Sequence, residues 1–175
     1  MGCFSMGHFS LNLRPFRHAA LCYGPNPFPE SIRIAEYIKT HSKKEDKIAI
    51  LGSEPQIYFY SNRHSATSYI YMYGLMEHQK YALKMQLEMA RELEKAEPKY
   101  LILVNIPTSW LANARSERYI LEWSQQYLHK RFSLVGVVDI LSHYETEYRW
   151  DDETKSYAPR SPYFLYVYKN NLSGG

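Results

Sequence analysis

Apolar residues recur at three- and four-residue spacings between Glu30 and Thr40, with Ile34, Ala35 and Ile38 on one face and Glu36 and Lys39 on the other. That spacing predicts a helix, ended by the charged cluster Lys43-Lys44-Glu45-Asp46. Lys47 to Leu51 is an apolar run short enough for a buried strand, and Gly52 stops it at a sharp turn. Gly-Ser-Glu-Pro then opens a short aromatic helix, and the polar stretch Ser61 to Thr67 leads into a second strand-like run around Tyr69 to Tyr71. From Glu77 to Ala96 the period returns to that of a helix, with Ala82, Met85, Met89, Leu93 and Ala96 sharing one stripe ahead of Pro98.

The second half continues the alternation. Tyr100 to Val104 is continuously apolar, as in a strand buried on both faces. A helix is predicted from Glu117 to Lys130, and a strand from Phe132 to Ile140. His143 to Trp150 then alternates in the manner of an antiparallel strand, DDETKSYAPRSP forms a charged turn, and Tyr163 to Tyr168 is a last strand. The expected fold class is α/β: a three-layer, Rossmann-like, mostly parallel sheet with helices on both faces and a C-terminal antiparallel hairpin closing one edge.

The chain of 175 residues fits one domain. Pro25, Pro27 and Pro29 separate an irregular leader, residues 1–22, from a domain spanning 23–170, and residues 171–175 are a tail. The leader has no continuous apolar core with a small-residue cleavage site, so it is not a signal peptide by pattern. It reads as an expression remnant, a mis-assigned start or the exit from a preceding membrane helix. No stretch reaches the run of about 20 apolar residues that spans a bilayer.

Charge changes this picture little, because a formal net charge of +3 comes from acids and bases mixed along the chain. Without a continuous basic stripe, nucleic acid is not an expected partner. Cys3 and Cys22 lack the spacing of a redox or zinc motif. Tyrosine stands out: 17 residues against 7 phenylalanines, gathered between Tyr58 and Tyr81 and again from Tyr144 to Tyr168. A ring with a polar tip suits cross-strand packing, and equally a surface that meets sugar or lipid headgroups.

In open α/β sheets ligands lie beyond the carboxyl ends of the strands, which selects Gly52 to Pro55, Ser61 to Thr67 and Asn105 to Ser109. Ser53 and Glu54 stand where a strand meets a helix, a place suited to an anion or to a simple helix cap with Pro55 in the first turn. Arg63, beside His64, can hold a phosphate or sugar hydroxyls, or belong to a solvated turn. Asn105 can orient a ligand or end its strand by bonding to its own backbone. The loop after the first strand lacks the glycines of a dinucleotide fingerprint and of a P-loop, so no nicotinamide, flavin or ATP cofactor is called for. The histidines show no metal-ligand spacing, with His78 and His129 on helix surfaces. Asp151 and Asp152 are adjacent in a charged turn and read as solvated, Ser109 has no nucleophile elbow, and no catalytic residue can be named.

The segments YGPNPFPES (Tyr23 to Ser31), IAEYIK (Ile34 to Lys39), DKIAILGSEPQIYFYSNRHSAT (Asp46 to Thr67) and YIYMYGLME (Tyr69 to Glu77) together resemble one family. They are similar to the C-terminal extracytoplasmic domain of bacterial membrane glycosyltransferases of the dolichyl-phosphate-mannose-protein mannosyltransferase and aminoarabinose-transferase type. The resemblance continues more weakly through the helix at Glu77 to Ala96 and the strand KYLILVN. It implies a polytopic parent that takes a sugar from a polyprenyl-phosphate donor and transfers it on the periplasmic face of the inner membrane. The catalytic carboxylates of such proteins lie in loops between membrane helices, so none maps to this chain. The resemblance therefore implies a non-catalytic accessory domain, partnered by the membrane part of its parent and by a glycan or polypeptide acceptor. A free-standing glycan- or protein-binding module, or a small enzyme using Ser53, Glu54, Arg63 and Asn105, is the alternative.

Overall fold

The computed structural model describes residues 26–172. The leader at 1–22 with Cys3 and Cys22, and the tail beyond Leu172, lie outside the described residues. Helix α1 (Phe28–Thr40) leads to strand β1 (Ile48–Leu51), followed by α2 (Pro55–Ser61), the single turn α3 (Tyr73–Met76) and α4 (Ala82–Ala96). Strand β2 (Tyr100–Asn105), the turn α5 (Pro107–Trp110) and α6 (Tyr119–Arg131) come next. The chain ends with β3 (Phe132–Ile140), β4 (Thr146–Trp150), a 3₁₀ helix (Asp151–Ser156) and β5 (Phe164–Asn170).

The five strands form one mixed sheet in the order β1-β2-β5-β3-β4. This corrects the expected mostly parallel sheet: among the strands of the described residues β1 and β2 pair in parallel, and the β2–β5, β5–β3 and β3–β4 pairings are antiparallel. The reason lies in where the last strand goes. Because β5 runs opposite to both β2 and β3, those two strands still point the same way as β1. The strand–helix alternation thus set the directions of β1, β2 and β3 as such connections do. It left an open slot between β2 and β3, which β5 fills from the opposite direction. The expected terminal hairpin of β4 with β5 is likewise corrected: β4 pairs with β3 through the short loop 141–145 and forms the sheet edge.

Side chains that alternate along each strand feed two apolar clusters, one on each face. Ala49, Leu51 and Leu101 join Met89, Ala90 and Leu93 of α4 and Ile120, Tyr127 and Leu128 of α6. Ile48, Ile50, Tyr100, Ile102, Leu165 and Val167 meet Ile34 and Ile38 of α1 and Ile57 of α2. The helix of the Glu77–Ala96 segment begins only at Ala82, and its buried stripe includes Gln86. Gln86 is satisfied by three bonds, donating to the carbonyls of Leu75 and Glu117 and accepting from Ile120 N–H. The predicted strand around Tyr69 to Tyr71 is absent; that segment is irregular and runs into α3. Just before it, Ser65 makes an isolated parallel bridge to Ile48.

The edge strand β4 is locked by aromatic stacking. Trp150 lies opposite Gly136 in the β3–β4 register and stacks on Tyr37 of α1 at 4.2 Å between centroids. A β-carbon at Gly136 would run into the Trp150 ring and come 3.0 Å from Val167 Cβ. Gly136→Ala is therefore expected to lower stability by about 1–3 kcal/mol through overpacking. Urea unfolding measures this as a lower midpoint, and near-ultraviolet circular dichroism should report a displaced Trp150.

Candidate functional site

The carboxyl ends of the parallel pair β1–β2 hold a buried polar cluster. Gly52 turns the chain out of β1, and Glu54 occupies the cap position of α2 with Pro55 in its first turn. The Glu54 side chain makes no cap bond and Ser53 Oγ is engaged by Met72 N–H, so of the two readings offered for this loop the simple helix cap is not the one adopted. Instead the Glu54 carboxyl turns inward and accepts a hydrogen bond of 2.8 Å from the Ser109 hydroxyl, delivered by α5 from the end of β2. Ser109 Oγ in turn accepts from Ser53 N–H at 2.8 Å, and Ser53 Oγ accepts from Met72 N–H at 2.9 Å. The cluster leaves no room for a side chain at position 52: a β-carbon there would lie 2.5 Å from both Glu54 Oε2 and Val104 Cγ2.

Glu54 and Ser109 are each only 3 % exposed. Burial pushes the Glu54 carboxyl up to about 7, against the opposing hydrogen bonds from Ser109 and the Ser53 backbone. A carboxyl poised near neutrality beside a serine is a combination seen in catalytic sites. Here it faces packed protein. Among the described residues one cavity of about 460 Å³ is bordered by Lys47, Thr67, Glu92 and Lys95, and another of about 380 Å³ by Glu77, His78, Lys80 and Arg115. Glu54 lines neither. Among the described residues no group of three histidine, cysteine or acidic side chains is placed to hold a metal.

The other two candidates lie apart from this cluster. Arg63 sits at the amino end of β1, where the carbonyl of neighbouring His64 accepts from Ile48 N–H. Its buried guanidinium donates to the carbonyls of Lys39, Ser42, Ser61 and Asn62 and to Ser42 Oγ. It thereby closes the C-terminal end of α1, whose last carbonyls have no partner within the helix. Asn105, exposed at the end of β2, donates to the carbonyl of Pro162 at 2.9 Å and ties down the strand entering β5.

Several polar anchors have no counterpart in the sequence reading. Tyr58 Oη accepts from Ile50 N–H and from the Ser65 hydroxyl, so the free edge of β1 is covered; burial pushes this phenol up to about 12. Glu92 of α4 binds Thr67 Oγ1, Ser68 N–H and Ser68 Oγ. Asp139, fully buried in β3, accepts from the Tyr157 hydroxyl and from the N–H groups of Arg160 and Ser161. Asp151 and Asp152 are both exposed, as the charged turn implied; Asp152 pairs with Lys155 and Asp151 accepts from the Tyr37 hydroxyl at 2.7 Å. Buried acids that bind backbone N–H groups from distant loops leave no local pattern; a carboxylate inside an apolar strand, as Asp139 is, was the one readable sign. No protein-family model, curated protein or solved structure matches the chain.

Proposed function

We propose that the chain is the extracytoplasmic accessory domain of a membrane-bound glycosyltransferase that uses a polyprenyl-phosphate sugar, with the transfer chemistry in the membrane part of the parent. On this reading the domain is a three-layer, Rossmann-like unit in the periplasm that packs on the membrane part and helps hold a glycan or polypeptide acceptor. One observation carries it: Ser53, Glu54, Tyr58, Arg63, Ser65 and Thr67 of the GSEPQIYFYSNRHSAT run bond within the domain's own framework, while Tyr60, Asn62 and His64 stay at the surface. Glu54 and Ser53 knit the ends of β1 and β2, Tyr58 and Ser65 cover an edge, Arg63 closes α1, and Thr67 holds α4. A motif used in this way specifies a fold, which suits a supporting role. No helix among the described residues is long and apolar enough to cross a membrane.

An antibody raised against the chain tests the proposal in cells of the source organism. The expected antigen migrates well above 20.7 kDa, resists alkaline extraction from the inner membrane, and is cut by protease added outside spheroplasts. A water-extractable antigen of the chain's own mass overturns it. Turnover of a polyprenyl-phosphate sugar by the purified chain, lost in a folded Glu54→Ala variant, overturns it in favour of a small enzyme.

A further inference from the structure

The two ends of the sheet differ in chemistry. Strands β1, β2 and β3 point towards one end, and β4, β5, α1 and α4 begin there, as the 2.7 Å bond from Thr146 Oγ1 to Glu30 Oε1 illustrates. The turns at that end expose Tyr71, Tyr73, Tyr81, Leu111, Tyr144 and Tyr163, with Leu111 57 % and Tyr144 71 % exposed. The opposite end is charged. It carries Lys43, Lys44, Glu45 and Lys47 before β1, Glu97 before β2, and Asp151 to Lys155 after β4. Exposed apolar side chains are more numerous at the first end, while Phe59 and Leu172 are exposed away from it, and a cluster of such side chains marks an interaction surface.

We propose that the aromatic end is the seat of the domain on a phospholipid bilayer, with Tyr71, Leu111, Tyr144 and Tyr163 entering the headgroup layer. Three observations favour lipid as the occupant. Tyrosine, with its apolar ring and polar tip, is the side chain enriched where hydrocarbon meets water. The rings stand on separate loops, 70–73, 111, 144 and 163, instead of lining one groove, an arrangement that a fluid interface accepts and a folded ligand does not need. The chain also enters the domain here, at Asn26 and Pro27 before α1. The preceding 25 residues carry Phe4, Phe9, Leu11, Leu13, Phe16, Arg14 and Arg17 and no acidic residue, a composition suited to a membrane interface. Around the rings Lys80 and Arg115 are balanced by Glu77 and Glu117, so seating depends on the rings more than on charge.

This inference rests on the proposed function for the presence of a membrane, and it adds which face meets it. The test uses the full 175-residue chain with phosphatidylcholine vesicles, with and without phosphatidylglycerol, read by co-sedimentation. The chain is expected to bind both and to stay bound at about 0.5 M salt, where exposed charges are screened. A Tyr71→Ser/Leu111→Ser/Tyr144→Ser variant, with unchanged circular dichroism, should lose about tenfold or more in partitioning. A Phe59→Ser/Leu172→Ser variant, altered at exposed sites away from this end, should not. Failure of the unaltered chain to bind, binding that the triple variant retains, or release by salt each overturns the proposal. So does concentration-dependent self-association abolished by the triple variant without vesicle binding, which assigns the face to a second copy. An alkali-resistant native protein whose domain ignores vesicles sinks this orientation alone. A native product free of the membrane removes the accessory role, and the vesicle result still decides the seat.

Discussion

Arg63→Ala should lower the stability of the domain by on the order of 3–5 kcal/mol, the cost of removing one side of a buried charged hydrogen-bond network. The guanidinium is nearly buried and satisfies carbonyls from two chain segments: Lys39 and Ser42 at the end of α1, Ser61 and Asn62 at the end of α2. Truncation strands these acceptors away from water and frees α1, whose Ile34 and Ile38 cover one face of the sheet. Against a total stability of about 5–15 kcal/mol, much of the population would unfold at moderate temperature. Arg63→Lys keeps the charge but not the planar fork, and should recover less than half of the loss. Urea denaturation should show a lower midpoint at unchanged slope. An Arg63→Ala protein as stable as the parent would mean that the guanidinium faces solvent and is free to bind a ligand.

This residue shows how far the sequence can be read. The run around Arg63 was legible as special, and so was the end of α1 nearby, but the link between them was not. Its acceptors are backbone carbonyls, which every residue owns, at Lys39 and Ser42, more than twenty positions away. Glu54 posed the same difficulty in milder form. The rule that sites gather at strand carboxyl ends selected both its loop and that of Ser109, yet not that the two side chains would bond to each other and close the space.

Helix and strand periods carried most of the architecture for a plain reason: burial acts on each element locally, so Ile34, Ile38, Met89 and Leu93 announce their faces. Strand neighbours are decided globally. FLYVYKN alternates well enough for an edge, yet Leu165 and Val167 are wholly buried on one face while Tyr166 and Tyr168 line the other, and β5 lies between β2 and β3. Nothing within the strand distinguishes that slot from a hairpin with β4. The segment from Tyr69 to Tyr71 erred the other way, because β-favouring aromatics there serve a surface.

Stability should fall as pH rises from about 4.5 to about 7, and Glu54→Gln should remove most of that fall. Burial raises the Glu54 carboxyl to about 7 in the folded domain from 4.5. Between these values the folded state holds a proton that the unfolded state has released, so each step up in pH favours unfolding. The contribution is complete below pH 4.5 and lost as pH passes 7, and amounts to on the order of 3 kcal/mol. Glu30, raised mainly by its own burial against the bond from Thr146, acts with the same sign and leaves a residual slope in the variant. For Glu92, burial pushes upward but the bonds from Thr67 and Ser68 hold the carboxyl below its ordinary value. Its contribution is therefore lost only as pH falls below this window. Unfolding of parent and Glu54→Gln proteins should thus give similar stability near pH 4.5, and a more stable variant near pH 8. Equal stabilities at both values would show a solvated carboxyl, and would reopen the carboxyl end of β1 as a place where Glu54 meets a substrate. The expected outcome makes Glu54 a buried acid whose ionisation loosens the junction of β1, α2 and α5, the same junction from which Met72 and the aromatic loop at Tyr71 are hung.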